Sequence, residues 1–260
     1  MASTSSAGNA APGYSDHPDY RIDLVPCAKR VRATLAGKTV FDTQRAVVMC
    51  ETGHIALYYV PREDADMSMM TRTDHSSFCP FKGQASYYTL TADDRVAENA
   101  VWSYETPFDE AMGIEGWLAF YWKQLDHWFE EDEEVFIHAR DPFVRCDILE
   151  SGRKVEVMAG GETIASTNRA RFLFETGHQP RYYIPREDVT GAALMPSELR
   201  TGCPYKGTAH YHHIKAGGTT IDDAVWYYPA PLDEVRRIGD YLCFYPEKVD
   251  AILVDGKKVR

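Results

Sequence analysis

A chain of 260 residues with 28 Lys and Arg against 39 Asp and Glu carries a formal net charge of −11. That balance supplies no basic stripe of the kind phosphate neutralisation requires, so no nucleic-acid partner is expected. Hydrophobic residues make up 44% of the chain, enough for two cores. No apolar run approaches the roughly 20 residues of a membrane span, so a soluble protein with no membrane partner is expected.

Met1 to Pro12 is rich in Ser, Ala and Gly, with neither a basic start nor an apolar stretch. Residues 1–13 therefore read as a disordered arm rather than a secretion signal. Nearly everything after the arm is written twice at one offset. Glu51-Thr52-Gly53-His54 returns as Glu175-Thr176-Gly177-His178, and Tyr58-Tyr59-Val60-Pro61-Arg62-Glu63-Asp64 as Tyr182-Tyr183-Ile184-Pro185-Arg186-Glu187-Asp188. Cys79-Pro80-Phe81-Lys82-Gly83 returns as Cys203-Pro204-Tyr205-Lys206-Gly207. A period longer than that of solenoid or propeller repeats makes each copy a whole domain, here 14–137 and 138–260.

Each copy opens on a hairpin signal, Val31 to Leu35 returning through Thr39 to Phe41, and Val155 to Val157 with its turn at Gly160-Gly161. A second strand pair flanks each Thr-Gly-His turn, which should be a surface loop. A third pair runs Ala209 to Lys215 and resumes at Ala224 to Tyr228. Helical spacing is confined to the end of each copy: Ile114, Trp117, Leu118 and Tyr121, and Ile238, Tyr241, Leu242 and Tyr245. Acidic residues at Asp109-Glu110 and Asp233-Glu234 suit the first turn of such a helix. The acidic run Glu130 to Glu134 reads as a solvated face or linker. The expected class is mainly β with one short C-terminal helix per repeat (α+β), each domain a small, strongly twisted sheet or partly closed barrel.

Six cysteines without C-x-x-C spacing argue against a disulfide framework and a structural zinc site, which fits a reducing, cytoplasmic setting. Three duplicated polar groups are the candidates for chemistry. In the Glu-Thr-Gly-His turn, Glu175 beside His178 has the make-up of a proton relay, or of a turn whose side chains bond backbone. In Pro-Arg-Glu-Asp, Arg62 and Arg186 offer an anion clamp and Glu187 a base, or an internal ion-pair network. In Cys-Pro-aromatic-Lys-Gly, Cys203 near Lys206 has the elements of a nucleophile, while Lys82 and Lys206 suit an anion. A small buried hydrophobe is the other reading of that Cys. Tyr211 follows on the same strand, and Arg181 has no counterpart in the first copy. His210 and His212 share a strand face at a metal-ligand spacing, but no third ligand is evident, and no cofactor fingerprint occurs. No metal or cofactor is expected.

The ordered set Glu-Thr-Gly, Tyr-Tyr-Ile-Pro-Arg-Glu-Asp, Cys-Pro-Tyr-Lys-Gly-x-Ala-x-Tyr and Ala-x-Trp-x-Tyr-x-x-Pro resembles the family known as domain of unknown function 427, across about residues 17 to 250. The resemblance implies a compact, tent-like β domain in tandem. A nucleotidyltransferase-like label attached to that family finds no support in the residues: Asp64-Ala65-Asp66 matches an Asp-x-Asp pair by pattern alone, and the second copy has Asp188-Val189-Thr190 there. The expected function is acid/base chemistry on a small anionic or polar metabolite, with Glu175, His178, Glu187 and Cys203 as catalytic candidates. Arg181, Arg186, Lys206, Tyr211, Arg62 and Lys82 are the binding candidates. The alternative is a non-catalytic module for a small ligand or a protein partner. Arg186, Lys206 and Cys203 are expected to approach one pocket.

Overall fold

The computed structural model describes residues 8–259. The chain divides into two compact units, with the break between Asp141 and Pro142. The first holds β1 (Ile22–Pro26), β2 (Val31–Leu35), β3 (Lys38–Thr43), β4 (Val47–Glu51), β5 (Leu57–Val60), β6 (Met70–Cys79), β7 (Gly83–Ala92), β8 (Arg95–Tyr104), β9 (Leu118–Phe120), β10 (His127–Glu130) and β11 (Glu133–Val135). The second repeats the series as β12 (Cys146–Glu150), β13 (Val155–Ala159), β14 (Glu162–Thr167), β15 (Arg171–Glu175), β16 (Arg181–Pro185), β17 (Ala193–Cys203), β18 (Gly207–Ala216), β19 (Thr219–Tyr227), β20 (Tyr241–Phe244), β21 (Ala251–Val254) and β22 (Lys257–Lys258).

In each unit an antiparallel seven-stranded sheet faces a four-stranded one. The long sheets run β1-β4-β5-β9-β8-β7-β6 and β12-β15-β16-β20-β19-β18-β17, and the short ones β11-β10-β2-β3 and β14-β13-β21-β22. Neither order returns to its first strand, so the sheets are open and no closed barrel forms. Strand alternation then gives each long sheet two different faces. On β16, Tyr182 and Ile184 join Val157, Ile164 and Ile252 of the short sheet in the main core. Tyr183 of the same strand turns to the other face with Leu173, Tyr211, Trp226 and Tyr228. The first unit repeats this with Val60 on one side and Tyr59, Tyr87 and Trp102 on the other.

The expected C-terminal α-helix is absent from both repeats. Asp109–Ile114 and Asp233–Ile238 are 3₁₀ turns, and the chain then enters β9 and β20. Leu118 to Phe120 are buried on both faces between β5 and β8. A strand buried on both sides has no alternation, and its continuous apolar run mimics helical spacing over so few residues. The acidic run is also more than a solvated linker: it forms the β10–β11 hairpin, and Glu130 is buried with its carboxylate bonded by Tyr58 and Lys29.

Of the arm expected to be disordered, residues 1–7 lie outside the described residues. The remainder is bonded to the first unit: Ala11 N–H donates to Glu110 at 2.9 Å and Gly13 N–H to the Pro80 carbonyl at 3.0 Å. Two duplicated glycines have backbone reasons. Gly177 in the Thr-Gly-His turn has φ +76°, and Gly207 has φ +97° with a Cβ there lying 3.2 Å from the Ala230 carbonyl.

Candidate functional site

Glu175 closes β15 opposite Cys146 of β12, and Lys206 sits in the tight turn joining β17 to β18. The two meet across the outer face of the long sheet. Lys206 Nζ donates to Glu175 Oε1 at 2.6 Å, with the two side chains only 10% and 11% exposed. Burial pulls the Lys206 ammonium down, but the hydrogen bond and charge of Glu175 more than offset it, so it titrates above its ordinary value. The Cys146 thiol is pushed up to about 11, by burial first, with Lys206 opposing and Glu175 adding to the rise. The first repeat has the same pair in Glu51 and Lys82, also nearly enclosed.

Around Glu175 and Lys206 lies a pocket of about 190 Å³. Arg181 from β16 lines it, with its guanidinium 5.6 Å above the Trp226 ring. Tyr211, Thr201 and Tyr245 bring hydroxyls to it: Tyr211 Oη lies 2.7 Å from Thr201 Oγ1 and 3.4 Å from Tyr245 Oη. Below them Trp226 Nε1 donates to Tyr183 Oη at 3.2 Å, which answers the polar atoms of the aromatic floor. Burial raises the phenols of Tyr228 and Tyr245 above the usual range, so both stand as neutral donors. Four expected residues, Glu175, Arg181, Lys206 and Tyr211, thus share one wall-to-wall site.

Arg186 does not join them, which overturns the expected shared pocket. Its guanidinium lies 5.1 Å over Tyr227 and 3.4 Å from His212 Nε2. Tyr227 and His212 alternate with Trp226 and Tyr211 along β19 and β18, so they occupy the opposite face of the sheet. Arg62 is likewise away from Lys82, bonding Tyr88, Ser103 and Glu105. Glu187 is an exposed partner of Arg169 at 3.3 Å, next to Asp188 at 2.7 Å, so Pro-Arg-Glu-Asp is in that part an ion-pair network. His178 is on an exposed turn, as its sequence suggests, but its Nδ1 faces the Thr176 carbonyl at 3.1 Å while Lys206 holds Glu175. The relay between Glu175 and His178 is not formed. Cys203 is half-buried beside Lys206 and Cys146 without lining the pocket.

His210 and His212 do share a face, packed on Tyr227 at 5.7 and 4.9 Å. Among the described residues no group of three His, Cys, Asp or Glu is placed to hold a metal. Thr201, Tyr245 and Trp226 of the pocket wall, and Cys146 beside the ion pair but outside that wall, are among the residues that sequence reasoning missed. The first three had a signal in the duplication, as Ser77, Tyr121 and Trp102 stand at their counterparts. Cys146, with Ile22 at its counterpart, had none.

The two repeats differ around their common pair. In the first, Tyr20 donates to Glu51 Oε1 at 2.6 Å and its ring lies flat on Phe81, with centroids 3.6 Å apart. The second has Val144 at that position. Both backbones are pinned alike there, Arg21 N–H to Thr52 Oγ1 at 2.9 Å and Arg145 N–H to Thr176 Oγ1 at 3.0 Å. The first repeat also has Leu57 where the second has Arg181. The second repeat therefore has an arginine beside its paired lysine that the first lacks.

The family described as Domain of unknown function (DUF427) matches residues 23–131 and again residues 147–255. No curated protein matches the chain. The two matched stretches bracket the Glu51–Lys82 and Glu175–Lys206 pairs, and the chain belongs to the DUF427 family as a tandem-repeat member.

Proposed function

We propose that the second repeat binds a small anionic metabolite, with Arg181 taking the negative group. Charge carries this reading. Glu175 and Lys206 neutralise one another, which leaves Arg181 without a carboxylate partner among the described residues, in a chain of net charge −11. A guanidinium offers a planar fork matched to carboxylate or phosphate oxygens. The hydroxyls of Thr201, Tyr211 and Tyr245 serve the uncharged polar groups of the ligand, and Trp226 its apolar part. Acid/base chemistry is the second reading. It is favoured by the Glu175–Lys206 contact, a proton donor and acceptor 2.6 Å apart on the pocket wall and nearly closed to solvent.

Isothermal titration with small carboxylates and phosphate esters, in an Arg186→Gln background that removes the other candidate arginine of the repeat, tests the binding. The expected result is one saturable site per chain that disappears in Arg181→Leu. Two equal sites, or one that survives that substitution, would show that the pocket is not where the anion goes. Following the same mixtures by NMR separates binding from turnover. Product signals that form with wild type and not with Lys206→Met assign proton transfer to the pair, and unchanged ligand signals leave a binding module.

A further inference from the structure

We infer that the second repeat carries a separate site for a small carboxylate on the opposite face of its long sheet, built on Arg186 and His212. The first repeat shows what the position accommodates. There Arg62 makes four bonds: Nε donates to the Gly116 carbonyl at 3.1 Å, Nη1 to Tyr88 Oη at 3.0 Å, and Nη2 to Ser103 Oγ at 3.2 Å and Glu105 Oε1 at 2.8 Å. Tyr88 donates to the same Glu105 oxygen at 3.0 Å. A carboxylate oxygen thus sits between two donors, one charged and one neutral.

In the second repeat all three side-chain partners are exchanged while the arginine is kept. His212 stands for Tyr88, Tyr227 for Ser103 and Pro229 for Glu105. Arg186 is left with His212 Nε2 at 3.4 Å and the face of Tyr227, and no carboxylate pairs with it among the described residues. The ring of Tyr227 lies 4.9 Å from and within 9° of parallel to that of His212, so the guanidinium and the imidazole are both held in place rather than free to turn away.

His212 is 8% exposed, and its Nδ1 is buried with no partner, the Met195 carbonyl nearby falling short of hydrogen-bond geometry. A guanidinium can only donate, so Nε2 accepts from Arg186 and the imidazole hydrogen is on Nδ1, toward the Met195 carbonyl. Arg186 Nη1 is thus spent on His212, while Nε and Nη2 face no acceptor among the described residues. A carboxylate in the place Glu105 takes in the first repeat answers them, with His212 and Tyr227 holding the guanidinium toward it. The site is independent of the Arg181 pocket, because Tyr227 and Trp226 put the two on different faces.

The test uses the full chain with labelled histidine, following the His212 ring by NMR as sodium acetate is added against sodium chloride at equal ionic strength. A saturable acetate response is expected, at least tenfold weaker in Arg186→Gln and unchanged in Arg181→Leu. Pro229→Glu is expected to return an internal carboxylate, raising the melting temperature and silencing the acetate response. Equal responses to acetate and chloride, or a response kept in Arg186→Gln, would overturn the site. So would a Pro229→Glu protein that folds and still responds as wild type.

Discussion

Glu175 and Lys206 are a buried ion pair, and removing one partner leaves the other charge without compensation. Glu175→Gln or Lys206→Met should each cost about 3–5 kcal/mol in denaturant unfolding, whereas replacing both with apolar residues of similar size restores most of it. Costs below about 1 kcal/mol for both single variants would show the pair to be solvated in solution. The pH dependence follows from the raised Lys206 value. Its stabilisation is fully present below the unfolded value of 10.5 and is lost as pH climbs through the folded value, so the alkaline limb of stability should shift downward in Glu175→Gln. Cys146 reports on the same spot: with its thiol pushed up to about 11, its alkylation should be slow at neutral pH and accelerate up to that value, and Glu175→Gln should bring the acceleration to lower pH. At this scale duplication revealed Glu175, Lys206 and Tyr211, and its failure at one position revealed Arg181. Arg186 was misplaced because duplication shows that a residue matters without showing on which side of a sheet it points.

Among the elements, the segment before β1 separates the two repeats. Tyr20 holds the Glu51 carboxylate, so Tyr20→Phe removes a hydrogen bond to a charged acceptor while keeping the stack on Phe81. A loss of about 1.5–3 kcal/mol from the stability of the first repeat is expected by calorimetry. In the Arg186→Gln background, Leu57→Arg combined with Tyr20→Val should give the first repeat a binding site of its own, raising the stoichiometry of the anion from one to two per chain; a value that stays at one would remove Tyr20 and Leu57 as the cause of the asymmetry. The 3₁₀ turns after β5 and β16 are set by ion pairs. Asp188 is held below the usual carboxylate range by its bond from Thr167 first and then by Arg169, so its contribution is present above its unfolded value and fades as pH falls through the folded one. The hairpins were legible because alternation over β2 and β13 matches their half-buried patterns. β9 and β20 were not legible, because a short strand enclosed on both faces carries no period of two.

At the scale of the molecule, the long repeat gave the number of domains directly, and composition gave enough apolar mass for two cores. Sheet order lay beyond it. β9 pairs with β5 and β8 and β20 with β16 and β19, contacts between segments far apart in the chain that local pattern does not encode. That insertion brings Tyr245, just past β20, to the pocket beside Arg181 and Tyr211. The pocket is thus a property of the assembled sheet, although four of its residues were visible beforehand. Its charge is the central claim. The most direct test is thermal unfolding of the full chain against a panel of small carboxylates and phosphate esters, in Arg186→Gln with and without Arg181→Leu. An anion that raises the melting temperature of Arg186→Gln in proportion to occupancy, and leaves the double variant unmoved, is the expected result. Equal shifts in both proteins, or none in either, would contradict an anion site at Arg181.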